Sequence, residues 1–330
     1  MNDLKSSLGA MFLCGFVAQP TLPAGFHSLL SQNQLGGIIL FARNYDDLEQ
    51  LKKLTAAVTA VREDSFIAVD QEGGNVVRFT EDFPTYPSSR YFGRRHDPQG
   101  LIQSVTQTAR QLRPTGVNLN LIPVCDLAPD DPDHVIYSRT YSPDPEEVAS
   151  IVTEEISCLK REGIMGCAKH FPGLQSACGD PHTVVAVSQR SRDQFRCRDY
   201  LPFRAAIASG VEMVMVTHLK ADSLDPDNLA TFSRKIIDGE LRVHLGFAGL
   251  IVTDDLQMGA VANIFSPVEA ATRAIMAGCD ILLYGNLEEG LEELIETICH
   301  RAESDERLVN RIAESAARIE AFWLKQKDHR

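Results

Sequence analysis

The sequence predicts an α/β fold, a single-domain (β/α)8 barrel of the TIM type, and three observations carry that expectation. Short apolar runs occur eight times along the 330 residues, at 10–17, 36–41, 65–69, 117–124, 164–168, 211–216, 248–253 and 280–284. They are too brief for helices and apolar throughout rather than alternating, which is how a parallel strand buried on both faces reads. Longer segments with helical spacing lie between them, and eight strand–helix units close into a barrel.

Taken in order, the first run (10–17) is read as the opening strand and the second is Gly36-Gly37-Ile38-Ile39-Leu40-Phe41. Residues 46–62 follow with Leu48, Leu51, Leu54, Val58 and Val61 on one helical face, and 145–162 repeats the pattern with Val148, Ile151, Ile156 and Leu159. Asp144-Pro145-Glu146-Glu147 supplies that second helix with a cap, a proline at its first position and acidic groups in its first turn. From Leu287 onward the chain reads as a charged C-terminal helix. No low-complexity linker or second boundary appears, so one catalytic domain spanning 1–330 is expected. A doubly wound sheet is the alternative, but no Gly-x-Gly-x-x-Gly follows an early strand.

The net charge of −13 repels nucleic acid and anionic lipid, and no run of Lys or Arg offsets it locally. The eight cysteines form no Cys-x-x-Cys pair and no ligand-like spacing with histidine, which fits a reducing, cytoplasmic setting. The apolar run Leu8 to Ala18, preceded by Lys5, has the form of a signal-peptide core but lacks a cleavage site and serves better as a strand. No stretch approaches the ~18 apolar residues of a membrane helix. A monomer, without nucleic-acid or membrane partners, is expected.

In such a barrel, chemistry gathers where strands end at their C-terminal side. The third run ends in Asp70-Gln71-Glu72-Gly73-Gly74, the fourth in Pro123-Val124-Cys125-Asp126, the fifth in Lys169-His170, the sixth in Thr217-His218 and the seventh in Thr253-Asp254-Asp255. A lone group of this kind is ordinarily a cap or a salt bridge. Five sets converging on one rim suit a neutral, hydroxyl-rich ligand held by charge-assisted hydrogen bonds. The lack of any His-x-His or His-x-x-x-His pair speaks against a metal, and the lack of a glycine-rich loop before a helix speaks against phosphate, so no cofactor is expected. After the fifth run, residues 171–183 form a loop with two glycines and two prolines. There Asp180 and His182 can touch, the carboxylate setting the imidazole tautomer. The same spacing admits an Asx-turn with an exposed histidine.

Together these residues resemble the β-N-acetylglucosaminidases of glycoside hydrolase family 3, especially the single-domain bacterial enzymes of peptidoglycan recycling. The likeness spans about residues 36–285. It rests on Gly37-Ile38-Ile39-Leu40-Phe41-Ala42-Arg43-Asn44-Tyr45, Val69-Asp70-Gln71-Glu72-Gly73-Gly74 with Arg78-Phe79, Pro123-Val124-Cys125-Asp126, Lys169-His170-Phe171-Pro172-Gly173, Asp180-x-His182 and Val252-Thr253-Asp254-Asp255-Leu256-Gln257-Met258. The resemblance implies Asp254 as covalent nucleophile, with Asp255 a structural neighbour, and His182 as general acid/base beside Asp180. It implies that Asp70, Arg78, Lys169 and His170 hold the terminal sugar, with Arg139 as a further sugar-binding arginine. The implied reaction is a retaining double displacement in which an imidazole replaces the usual carboxylic acid.

Three departures stand out. Pro172-Gly173 runs into Leu174-Gln175 where the family has His-Gly, Pro181 sits inside the dyad where Ser or Thr is usual, and Tyr137 and Tyr141 replace a glycine and a phenylalanine around Arg139. They bear on loop motion and aglycone preference more than on the reaction. The alternatives are a phosphorylase or a β-glucosidase on the same scaffold, or an inactive sugar-binding protein.

Overall fold

The structure, a computed structural model, describes residues 2–328. Among the described residues eleven strands run in chain order: β1 (Phe12–Cys14), β2 (Gly37–Leu40), β3 (Phe66–Val69), β4 (Leu119–Asn120), β5 (Met165–Phe171), β6 (Ala177–Cys178), β7 (Ala186–Ser188), β8 (Met213–Val216), β9 (Leu219–Ala221), β10 (Leu250–Thr253) and β11 (Leu282–Tyr284). Eight of them form one parallel sheet in the order β10-β8-β5-β4-β3-β2-β1-β11. A parallel bridge between Val252 and Ile281 joins its two ends and closes the ring. Each barrel strand lies inside one of the eight apolar runs or overlaps it, and every residue of these strands is buried, as continuous apolar runs require when helices cover the outside.

The predicted helices form at Leu48–Val61 and Pro145–Glu162. In the second, Asp144 accepts hydrogen bonds from the amides of Glu146 and Glu147, and Gly163 ends the helix in the left-handed region. The C-terminal stretch is two helices, Leu291–Ala302 and Glu306–Asp328, rather than one. Asp305 accepts from the amides of Arg307 and Leu308 and so starts a new helix where a continuous one was expected.

Two further differences bear on the rim. In the fourth run the strand is only Leu119–Asn120, with an isolated bridge from Val124 to Lys169 beyond it, because Pro123 has no amide to donate and the Asn120 side chain takes over both backbone bonds of Gln71, at 3.0 Å to its amide and 3.1 Å to its carbonyl. The segment after β5, expected to be a loop, contributes β6 and β7 to a small sheet that β9, which follows β8, completes in the order β6-β7-β9. Its strands of two or three residues are too short to show a period in sequence. Among the described residues no helix is long and apolar enough to cross a membrane. All eight cysteines are free; Cys178 and Cys197 are exposed and the rest buried.

Candidate active site

The C-terminal ends of the barrel strands surround a cavity of about 440 Å³, of a size that suits a small ligand. Asp70, Arg78, Arg139, Lys169, His170, His182 and Asp254 all border it, and Asp180 stands directly behind His182. Apolar side chains, among them Phe41, Leu121, Leu174, Met215 and Met258, form the remaining wall.

Lys169 and His170 are adjacent in β5 yet both face the cavity. In a regular strand neighbours point to opposite faces. Here the register of β5 against β8 shifts between Ala168 and Phe171, and that irregularity turns both side chains to the same side.

A buried charge network fills one side. Lys169, 1% exposed, contacts Asp70 at 2.7 Å and Glu72 at 2.5 Å. Glu72 also receives two hydrogen bonds from Arg139, at 2.7 and 2.9 Å, and Arg78 lies 3.4 Å from Asp70. Burial works to raise the Glu72 pKa, but the adjoining Arg139 and Lys169 cations outweigh it and hold the carboxyl well below the usual range. Burial likewise works against the Lys169 charge, and Asp70 and Glu72 reverse that, so its ammonium is kept. Arg139 thus serves largely as the partner of Glu72, with one donor reaching Nε2 of His170 at 3.0 Å. A guanidinium only donates, so Nε2 accepts and the ring proton lies on Nδ1, facing Asp126 Oδ2 at 2.6 Å.

Asp254 follows β10. Its Oδ1 accepts from the Asp255 amide at 2.9 Å and its Oδ2 from the Thr217 hydroxyl at 3.1 Å. Burial pushes this carboxyl up, but the imidazoles of His170 and His218 and these two donors draw it below the ordinary range, which keeps it ionised. Asp255 plays a different part: its Oδ1 accepts from the amides of Gln257 and Gly285, at 2.9 and 3.0 Å, tying the end of β10 to the end of β11. Burial, with the neighbouring Asp254 charge, raises its pKa. His218 is fully buried; its ring contacts Thr231 at 2.8 Å and the Asp255 carbonyl at 2.9 Å, and burial lowers its pKa.

At the loop tip, His182 Nδ1 meets Asp180 Oδ1 at 2.6 Å, and the same oxygen accepts the His182 amide at 2.9 Å. The Asx-turn and the dyad are therefore one structure, in which the turn delivers the carboxylate to the ring. Burial works to raise the Asp180 pKa, and the amide and ring of His182 overcome it and lower the value. Among the described residues nothing else hydrogen-bonds the His182 ring.

The departures find physical roles in the loop stem. Leu174 is a buried part of the cavity wall, its amide held by Asp126 at 2.7 Å. Gln175 donates to the Ala128 carbonyl at 2.8 Å and accepts from Arg190, while His134 holds the Ala177 carbonyl at 2.8 Å. Tyr137 lies under the Arg90 guanidinium, and Tyr141 is buried. Glu72, Asp126, Thr217 and His218 support the site without having been assigned to it from sequence. Position signalled all four, since each follows an apolar run, and Glu72 and Asp126 also lie within the motifs that carry the resemblance.

Residues 18–321 match the family described as the glycosyl hydrolase family 3 N terminal domain. A β-hexosaminidase of Nitrosomonas eutropha is 36% identical over 289 residues, 86% of this chain and 82% of that protein. One of Methylococcus capsulatus is 33% identical over 290 residues, 86% of each. Among solved structures, a family 3 β-N-acetylglucosaminidase from Paenibacillus superposes with a TM-score of 0.91 at 29% identity over 98% of this chain, which spans 62% of that longer enzyme. NagZ from Neisseria gonorrhoeae, in complex with N-trifluoroacetyl-D-glucosamine, superposes with a TM-score of 0.78 at 30% identity, covering 96% of each chain.

Proposed function

The chain belongs to glycosyl hydrolase family 3 and is a glycoside hydrolase, and from that premise we propose that it is a retaining exo-β-N-acetylglucosaminidase acting on terminal β-linked N-acetylglucosamine. The observation that carries this reading is that an ionised Asp254 and the Asp180-braced His182 border one cavity, which Asp70, Arg78, Lys169 and His170 also line. Related enzymes named β-hexosaminidase, and a relative holding an N-acylated glucosamine, support the substrate class.

In the proposed mechanism the sugar hydroxyls are held by Asp70, Lys169 and Arg78, and by His170 where a hydroxyl shares its Nε2 with Arg139. A carboxylate oxygen of Asp254 attacks the anomeric carbon while protonated His182 gives its Nε2 proton to the departing glycosidic oxygen. Asp180 holds Nδ1–H and stabilises the imidazolium before that transfer. The neutral imidazole then takes a proton from water, whose oxygen attacks the anomeric carbon and frees Asp254, so the sugar leaves with its configuration retained and His182 is recharged.

The whole chain is proposed to act as one catalytic domain and a monomer in the cytoplasm, on cell-wall-derived saccharides or muropeptides. The test is trapping with a 5-fluoro N-acetylglucosaminyl donor followed by peptide mapping. A sugar adduct on the peptide containing Asp254 is expected; an adduct elsewhere, or none under turnover conditions, would overturn the assignment. Product analysis in phosphate buffer should find the free sugar and no sugar 1-phosphate.

A further inference from the structure

We infer that Gly259 and Asn263, on the segment that follows the proposed nucleophile, are positioning residues that dock the tip of the acid/base loop and so set where His182 stands relative to Asp254; this rests on the reading of those two residues given above. Three consecutive carbonyls at the tip each meet one donor from that segment. Pro181 accepts from the Ala260 amide at 3.2 Å, His182 from the Gly259 amide at 3.0 Å, and Thr183 from the Asn263 side-chain amide at 3.2 Å.

The residue type at 259 is dictated by this approach. A Cβ there would lie 2.8 Å from the His182 carbonyl oxygen and 2.7 Å from that of Thr183. Both are backbone atoms, which cannot rotate away, so any side chain would push the tip off the segment. The segment itself is tied to the strand end: Met258 donates to the Asp255 carbonyl at 3.0 Å, and the Asp255 carboxylate accepts the Gln257 amide at 2.9 Å. Docking therefore refers the tip to the same short stretch of chain that holds Asp254.

Apart from Pro181, which is buried on the cavity wall, the tip has little packing to locate it. The side chains of His182 and Asp180 are 57% and 43% exposed. The turn bonds from the amides of Thr183 and Val184 to the Asp180 carbonyl, both 2.9 Å, shape the tip without placing it over the cavity. Proton transfer needs the imidazole within hydrogen-bond reach of the glycosidic oxygen, and a misplacement of about 1 Å can cost ~10²-fold.

The test uses Asn263→Ala and Gly259→Ala in the full chain, with phenyl and dinitrophenyl β-N-acetylglucosaminides, each with and without azide. Phenolate is a poor leaving group that needs the acid. Dinitrophenolate leaves without it, and azide attacks the glycosyl-enzyme without needing the base. Asn263→Ala is expected to lower kcat on the phenyl substrate by about tenfold, with Gly259→Ala losing more, while KM changes by no more than about twofold. On the dinitrophenyl substrate azide should restore turnover and yield the β-glycosyl azide. Asn263→Asp, which keeps the shape but loses the donor, should behave as Asn263→Ala.

Melting curves at wild-type temperature together with wild-type rates on phenyl substrate would overturn the inference. So would equal losses on both substrates with no response to azide. Asn263 is exposed, so its variants keep the test sound if Gly259→Ala misfolds. His182→Ala separates the two layers. If azide fails to rescue His182→Ala, the acid/base assignment falls; if it rescues His182→Ala but not Asn263→Ala, the docking inference alone falls.

Discussion

Asp126 accepts two hydrogen bonds from His170, one from Nδ1 at 2.6 Å and one from the backbone amide at 3.1 Å, and so fixes the ring and the chain of the same residue. Its second oxygen accepts the Leu174 amide at 2.7 Å, which binds the acid/base loop stem to the same carboxylate. Asp126→Ala is expected to weaken N-acetylglucosamine binding and to cost about 1–3 kcal/mol of stability, since buried donors lose their acceptor. Calorimetric titration with the sugar and a melting curve check both; an unchanged Kd would show that His170 holds its place without Asp126.

Glu72 lies between the buried ammonium of Lys169 and the partly buried guanidinium of Arg139. Glu72→Gln removes the charge and leaves both partly uncompensated, which for a broken buried pair costs about 3–5 kcal/mol. Denaturant unfolding should show that loss, together with reduced sugar affinity as Lys169 shifts toward Asp70. A variant as stable as the wild type would mean that water already screens this network.

Asp254→Ala should retain sugar binding and lose measurable hydrolysis of p-nitrophenyl β-N-acetylglucosaminide. His182→Ala should fall by ~10² to 10⁴ in kcat, the usual worth of general acid/base catalysis. Full activity in either variant would remove the role assigned to that side chain.

Glu155, 6% exposed, is pushed up to about 8 by burial and by the nearby Glu72 charge. Its ordinary value is 4.5. Between those two values the folded protein holds a proton that the unfolded chain has released, so stability falls as pH rises through this window and levels off above it. Glu155→Gln abolishes that dependence. The variant should gain on the wild type by up to about 1.4 kcal/mol per pH unit from pH 5 to 8 in urea unfolding. Parallel stability curves for the two proteins would show that Glu155 is already ionised in the fold.

Much of the molecule was legible in the order of its residues. Eight continuously apolar runs separated by amphipathic segments admit few compact arrangements other than a ring of parallel strands sheathed in helices, because both faces of each strand must be covered. The barrel rule then named the residues after each run as rim residues, and of these Asp70, Lys169, His170, Asp254 and Asp255 border the cavity, while Glu72, Asp126, Thr217 and His218 stand behind them as hydrogen-bond partners. The Asp144 cap was readable because a cap is local, needing only neighbours in sequence.

Period, local turn chemistry and resemblance thus suffice for the barrel, its rim and the pairing of Asp180 with His182. Which rim groups meet depends on packing. Lys169 and His170 face one way because a register shift reorients them, Arg139 is bound to Glu72 across 67 positions, and Asp126 grips the acid/base loop stem. The placement of the dyad loop on Gly259 and Asn263 is of the same kind. These contacts join segments distant in sequence, and their geometry follows from how the packed strands and loops close on one another, which no local pattern of residues encodes.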